Sequence, residues 1–338
     1  MMKIIILLLI LSIFSFSTYC CSDSNTEPET TAQTIVKHFG QLRVRGKNLV
    51  DQNNEIMVLR GMSLFWSQWG SAYYNKETIK WLRDDWKCTV IRAAIGIENG
   101  GYLTNTINEL NRAYTVIDAC IESGIYVIID WHDHHAEDHT DEALEFFRTI
   151  SHKYGANANI IYEIYNEPLN VSWENVLVPY ADTLISEIRK NDPDNVIIVG
   201  TPNWSQDVDD VIGDTLKDDN VAYTLHFYTS THGQSLRNKG IAAMSANIPI
   251  FVTEWGLSEA SGTGEIDLEE SFIWINFLDQ NNLSWCNWSV TNKDESSAAL
   301  LPSTSGISGW SEDELSQSGR IIRNYLIEMN SGIYDSLE

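Results

Sequence analysis

Positive charge is scarce in this sequence: 338 residues carry 22 Lys and Arg against 47 Asp and Glu, a formal net charge of −25. A surface of that sign repels phosphate backbones and anionic headgroups, so nucleic acid and a membrane face are excluded as expected partners. Proline is also sparse, at 7, and no Pro/Thr-rich linker divides the body, so a single folded domain is expected. Of the 5 cysteines, Cys88, Cys120 and Cys286 fall in the body, an odd number at wide spacing in apolar surroundings. This argues against a disulfide framework and for buried thiols, and without a CxxC spacing there is no basis for a structural zinc site. No Gly-rich loop follows the first strand signal, which removes the dinucleotide-binding fingerprint. The longest apolar run, residues 4–11, is shorter than the ~20 residues a bilayer helix needs.

What that run does resemble is a leader. A basic start at residues 1–3, the apolar stretch, and small residues at 15–18 read as a secretory signal over residues 1–19. Small residues before Cys20 and Cys21 are similar to a bacterial lipoprotein signal, in which the Cys becomes an acylated N-terminus. Tyr19 and the paired Cys depart from that pattern, and ordinary secretion is the alternative. Either way the expected location is extracytoplasmic, secreted or at the cell surface, with a lipidated Cys as the sole route to membrane attachment. Residues 20–38, rich in Ser, Thr, Glu and Asn, read as a flexible tether, followed by a catalytic body over 39–331 and a tail over 332–338.

The body alternates. Short apolar or β-branched runs at 57–64, 89–95, 126–131, 160–165, 196–200, 222–228, 250–253 and 284–289 are mostly continuous, as strands covered on both faces are. Helical periodicity lies between them, at 76–86, 106–122, 141–154, 173–191, 235–246 and 268–280, with a last helix at 313–329. Eight strand–helix units predict an α/β fold, a (β/α)₈ TIM barrel. Two strand-like pieces around a turn at 51–54 predict an N-terminal β-hairpin that caps the barrel floor.

In such barrels chemistry collects where strands end and the following loops begin. Those ends carry Arg92, His132, Asn166, Glu167, His226, Tyr228, Glu254 and Trp288. An ionisable group at the end of a buried strand costs free energy unless it is paired, so a purely structural explanation must account for many such positions at once. Glu167 and Glu254, on separate strands, are the minimum equipment for glycosidic cleavage, one giving a proton and the other attacking or activating water.

The segments IYEIYNEP at 161–168 and FVTEWG at 251–256 resemble the two glutamate signatures of glycoside hydrolase family 5, in the manner of its bacterial and invertebrate cellulase branch, subfamily 2. LRGMS at 59–63, VIRAA at 90–94, DWH at 130–132, HFY at 226–228, THGQ at 231–234 and NWS at 287–289 match in the same order, so the resemblance covers about 41–329. It implies a retaining endo-β-1,4-glucanase with Glu167 as acid/base and Glu254 as nucleophile. Asn166 would bond the sugar 2-hydroxyl, Arg92 and Tyr228 would lie against Glu254, and His132 and His226 would line the site. Trp288 would floor the reacting ring. Trp69, Lys293 and Glu295 match residues that grip sugars on the non-reducing side, and Trp204 and His232 match the leaving-group side.

The chain departs from that pattern in two places. Many relatives place a His in the loop after the first strand, where this chain has LFWSQW at 64–69, and an aromatic after strand two, where it has Ile95 and Gly96. Phe65, Trp66 and Gln68 are the expected substitutes for that wall. The sequence WHDHH at 131–135, with His139, invites a catalytic zinc, but strand five ends in Gly-Thr-Pro without a further ligand. No catalytic metal and no cofactor are expected, and a structural ion stays open. The expected partner is a β-1,4-glucan, and the expected state a monomer. A β-mannanase or a xylan- or xyloglucan-active enzyme is the alternative, and a sugar-binding barrel without chemistry is the more distant one.

Overall fold

The computed structural model describes residues 33–337. The expected export signal at 1–19 and most of the expected tether lie outside the described residues. Parallel pairing closes eight strand positions into a barrel: β3 (Arg60–Leu64), β4 (Val90–Gly96), β5 (Tyr126–His132), β6 (Ile160–Glu163), β7 (Ile197–Val199), a split sixth position, β10 (Ile250–Gly256) and β11 (Ser284–Val290). The split position holds β8 (Val221–Thr224) and β9 (Phe227–Tyr228), both paired to β10, and β11 returns to β3. This is the (β/α)₈ fold the alternation predicts. The interior-facing strands are buried from end to end, which explains their continuous apolar runs.

The hairpin is β1 (Arg43–Arg45) against β2 (Asn48–Val50), antiparallel. Its turn lies at Gly46, where φ is +59°, rather than at 51–54. The later segment is a second turn, closed by the Asp51 carboxylate on the backbone N–H of Asn53 and Glu55. Folded structure also reaches further than the expected boundaries. Helix Ile35–Phe39 lies in the stretch read as tether, with Ile35 buried, and helix Gln317–Asp335 runs into the stretch read as tail. That last helix starts four residues later than its periodicity suggests, because Ser316 caps it through the N–H of Gly319 while Glu312–Glu314 forms a separate turn.

Most crossovers use one long helix, among them Lys76–Asp84, Tyr102–Ser123, Thr140–Tyr154, Val178–Ile188, Gln234–Ser245 and Leu268–Gln280. The connection after β7 does not. There Asn203, Trp204 and Ser205 take φ of +58°, +56° and +56° in succession. Left-handed backbone costs about 1–2 kcal/mol per non-glycine residue. The turn is held by Trp204 N–H on Pro168 O at 2.8 Å, Ser205 Oγ on Asn166 O at 2.8 Å and His226 N–H on Ser205 O at 2.8 Å. It thereby ties the ends of two barrel strands together. Cys88, Cys120 and Cys286 are free and buried. No helix among the described residues is long and apolar enough to cross a membrane.

Candidate active site

Register places the polar residues at one rim. Asp130 on β5 pairs with Glu163 on β6 and with Ala94 on β4, and Trp288 on β11 pairs with Ser63 on β3. The side chain of Arg92, fully buried, becomes the hub: its guanidinium donates to Glu163 at 2.7 and 3.2 Å, to Asn166 Oδ1 at 2.6 Å and to Glu254 at 3.0 Å, and pairs with Asp130 at 2.9 Å. Burial works against its charge, but three surrounding carboxylates outweigh that and hold Arg92 well above its usual range. Burial pushes Glu163 up as well, and Asp130 up to about 7, with Arg92 opposing both.

Glu254 takes the Arg92 bond on one oxygen and the Tyr228 hydroxyl on the other, at 2.8 Å. Tyr228 is buried beside that carboxylate and held well above its ordinary range, so it stays a donor. Asn166 has its orientation set by Arg92. Its oxygen accepts from the guanidinium, so its buried Nδ2 is the group that faces away, without a partner among the described residues. A free buried donor of this kind is what a substrate hydroxyl would satisfy.

Glu167 is held differently. His226 Nδ1 lies 3.0 Å from one oxygen and His134 Nε2 lies 3.2 Å from the other. Burial alone would raise the carboxyl, but the hydrogen bonds from His134 and His226 prevail and hold it below the usual carboxylate range. The same contact raises His134 against its own burial. The His226 ring can be oriented by tracing donors. Thr253 Oγ1 donates to Glu163 at 2.6 Å, so it accepts from His226 Nε2 at 2.8 Å, and the Nδ1 edge is left to Glu167. The break between β8 and β9 falls at this histidine and aims it inward, as interruptions next to sites do.

One oxygen of Glu167, one of Glu254 and a nitrogen of His226 lie within 4.8 Å of one another. A cavity of about 290 Å³ lies over them, lined by Glu167, Trp204, Gln206, His226, Tyr228, His232, Glu254 and Ala260. His232 accepts the Tyr228 N–H at 2.9 Å through Nδ1, and burial lowers its proton affinity. Trp204 is 45% exposed in this cavity. On the opposite side His132 stacks on Trp288 at 5.3 Å and 10°. Burial and then the nearby Arg92 charge lower His132 to about 3, so it is neutral and donates Nδ1–H to Asp130 at 2.6 Å.

The unusual wall is rebuilt from the loop after β3. Phe65 lies against Trp288 at 5.4 Å, and Trp66 sets its edge on His132 at 4.0 Å and near His134 at 5.6 Å. Trp69, 57% exposed, joins through Trp66 at 5.3 Å. The Gln68 side chain of this loop packs directly over Gly96, where a Cβ would meet its amide at 1.8 Å. Lys293 pairs with Glu295 at 2.6 Å, and its ammonium sits 5.1 Å from the Phe65 ring. The structure thus brings all the expected residues to one rim. Sequence reasoning passed over His134, Glu163, Asp130 and Thr253. Glu163 and Asp130 did leave a trace, as acids inside apolar strand runs.

Comparison with known proteins now has a site to explain. Residues 50–294 match the model of the cellulase family, glycosyl hydrolase family 5. The chain is 48% identical over 279 residues to endoglucanase A of Evansella cellulosilytica, across 81% of this chain and 57% of that one. It therefore spans little more than half the length of that relative. A solved structure from Cytophaga hutchinsonii is 46% identical with a TM-score of 0.89, over 90% of this chain and 100% of the other. The Thermobifida fusca endoglucanase Cel5A catalytic domain, solved as a variant in complex with cellotetraose, is 32% identical with a TM-score of 0.83, over 87% and 99% of the two chains. A barrel with these carboxylates at its rim, matched by the family model over most of its length, belongs to glycosyl hydrolase family 5.

Proposed function

We propose that the protein is a retaining endo-β-1,4-glucanase, with Glu254 as nucleophile and Glu167 as acid/base. The observation that carries this is the spacing of the two carboxylates, whose nearest oxygens lie within 4.8 Å. Retaining glycosidases hold the pair ~5–5.5 Å apart, whereas inverting ones leave about 6.5–9.5 Å for a water molecule. In the first step Glu254 attacks the anomeric carbon, and the glycosidic oxygen leaves with a proton from Glu167, whose acid form has to be reached against the two histidine contacts that favour its carboxylate. Glu167, now ionised, takes a proton from water, which attacks the ester and frees Glu254. The free Asn166 amide donates to the 2-hydroxyl, where the bond strengthens as charge develops on the ring. Trp288 supplies the floor, Trp69, Lys293 and Glu295 the non-reducing side, and Trp204 and His232 the leaving-group side.

A linear β-1,4-glucan is the substrate this reading favours, supported by the endoglucanase relative and by the cellotetraose bound to a neighbour's catalytic domain. Reducing-end release on carboxymethylcellulose, barley β-glucan, mannan, xylan and xyloglucan tests it, with Glu254→Gln as control. Rapid loss of viscosity on the first two supports the reading. Activity confined to mannan or xylan keeps the mechanism and overturns the substrate. Silence on all five with binding retained overturns the mechanism. The chain acts as a monomer outside the cytoplasm, led there by residues 1–19. Mass analysis of the mature N-terminus separates an acylated Cys20 or Cys21 from plain cleavage.

A further inference from the structure

The histidine-rich segment after β5 is only partly used by the proposed chemistry. His132 and His134 face the glutamates. Asp133, His135 and His139 turn toward the neighbouring loop, where Glu98 follows β4. Because Gly96 and His132 are paired in register, these two loops rise side by side from the rim.

We infer that Glu98, His135 and His139, with Asp133 behind them, form a binding site for a divalent transition ion of the Zn²⁺ class. The site stands independently of the glycosidase mechanism. Glu98 Oε1 lies 3.8 Å from His135 Nδ1 and 3.9 Å from His139 Nε2. These distances are too long for hydrogen bonds and are those of donors facing a shared gap. A tetrahedral ion bonded at about 2.1 Å would set its ligands ~3.4 Å apart. Glu98 must approach each of the two rings by about half an ångström and His135 must swing toward His139, and the Glu98 and His135 side chains, 40% and 45% exposed, have room for both movements.

Asp133 makes the arrangement more than a surface ion pair. Its side chain is 1% exposed and accepts from His139 Nδ1 at 2.7 Å, while its other oxygen takes the His135 backbone N–H at 3.0 Å. With Nδ1 carrying the proton, His139 presents the Nε2 lone pair toward Glu98. A buried carboxylate behind a histidine is the device that fixes tautomer and ring orientation in metal sites. Donor atoms of Glu98, Asp133 and His139 all fall within 4.8 Å of one another. Imidazole nitrogen with carboxylate oxygen suits zinc, nickel, copper or cobalt over magnesium or calcium.

The test is titration of the full metal-free chain with zinc chloride by calorimetry, and with cobalt chloride followed by visible absorption. One saturable equivalent is expected. Glu98→Gln and His139→Gln should abolish it while leaving turnover in chelator unchanged, which also shows that both variants fold. Asp133→Asn should weaken it by about 10- to 100-fold. Saturating cellotetraose should not displace the ion. Binding that survives both first variants, or that cellotetraose displaces, would put the ion on the other cluster, Glu167, His226 and Glu254, and overturn the assignment. The absence of any saturable binding would overturn it equally.

Discussion

Glu254 and Glu167 stand within 4.8 Å of each other, yet their surroundings differ in kind. Glu254 is gripped by Arg92 and Tyr228, two donors that keep their protons. Arg never gives one up in a protein, and Tyr228 is held well above its usual range. Glu167 is gripped by His226 and His134, residues of a type that can both give and accept a proton. The first environment fixes a carboxylate in place with a donor on each oxygen. The second suits the proton transfer proposed for Glu167. Two side chains of one type, in one cavity, thus meet different surroundings, which match the two roles proposed for them.

Removing the fixed member should have the largest effect. Glu254→Gln is expected to lower kcat by about 10⁴-fold or more, on polymers and on aryl cellobiosides alike, because no covalent intermediate forms. Glu167→Gln should cost about 10²- to 10⁴-fold on polymers. With a dinitrophenyl leaving group, which departs without help, the first step should be nearly spared, and a pre-steady-state burst would display it. Equal losses for both variants on both substrates would erase the distinction between the two carboxylates.

The comparison sharpens at His134. Its donation to Glu167 favours the carboxylate, so His134→Asn should raise the proton affinity of Glu167 and keep its acid form to higher pH. The alkaline limb of kcat/KM should then move upward by about one pH unit, which corresponds to ~1.4 kcal/mol. A uniform fall in kcat/KM with the limb unmoved would make His134 a substrate contact instead.

How much of this was readable beforehand follows from what each residue depends on. The barrel was legible because buried parallel strands write themselves as short continuous apolar runs, and Glu167 and Glu254 because such strands end in a few polar residues. His134 was not, because a histidine in a polar loop looks alike whether it faces a carboxylate or solvent. The turn at Asn203, Trp204 and Ser205 was not, because three left-handed residues in a row have no local preference behind them. Contacts to Pro168, Asn166 and His226, distant in sequence, hold it. The helix at Ile35–Phe39 was hidden within a polar stretch, where it is marked by the burial of Ile35, the Thr34 cap and Gly40 at its end.

The smallest effects should come from the two ends of the cleft, where the same contrast between fixed and adjustable surroundings recurs in the aromatics. Trp69 leans on Trp66, which sets its edge on His132, so its position is set by ring packing. Trp204 depends on a left-handed backbone turn that shares hydrogen bonds with Asn166 and His226. Replacement of either by Ala removes one stacking face, worth about 0.5–1.5 kcal/mol. For Trp69→Ala this should appear as a ~3- to 10-fold rise in KM with kcat kept, since ground state and transition state are weakened equally. Trp204→Ala should raise KM similarly and also shift the cleavage position along cellopentaose, because the indole lines the same cavity as Glu167. Steady-state kinetics with product analysis on that one oligosaccharide separates the two. A fall in kcat for Trp204→Ala, rescued by Trp204→Phe, would mean that the ring also keeps the turn in place beneath Asn166.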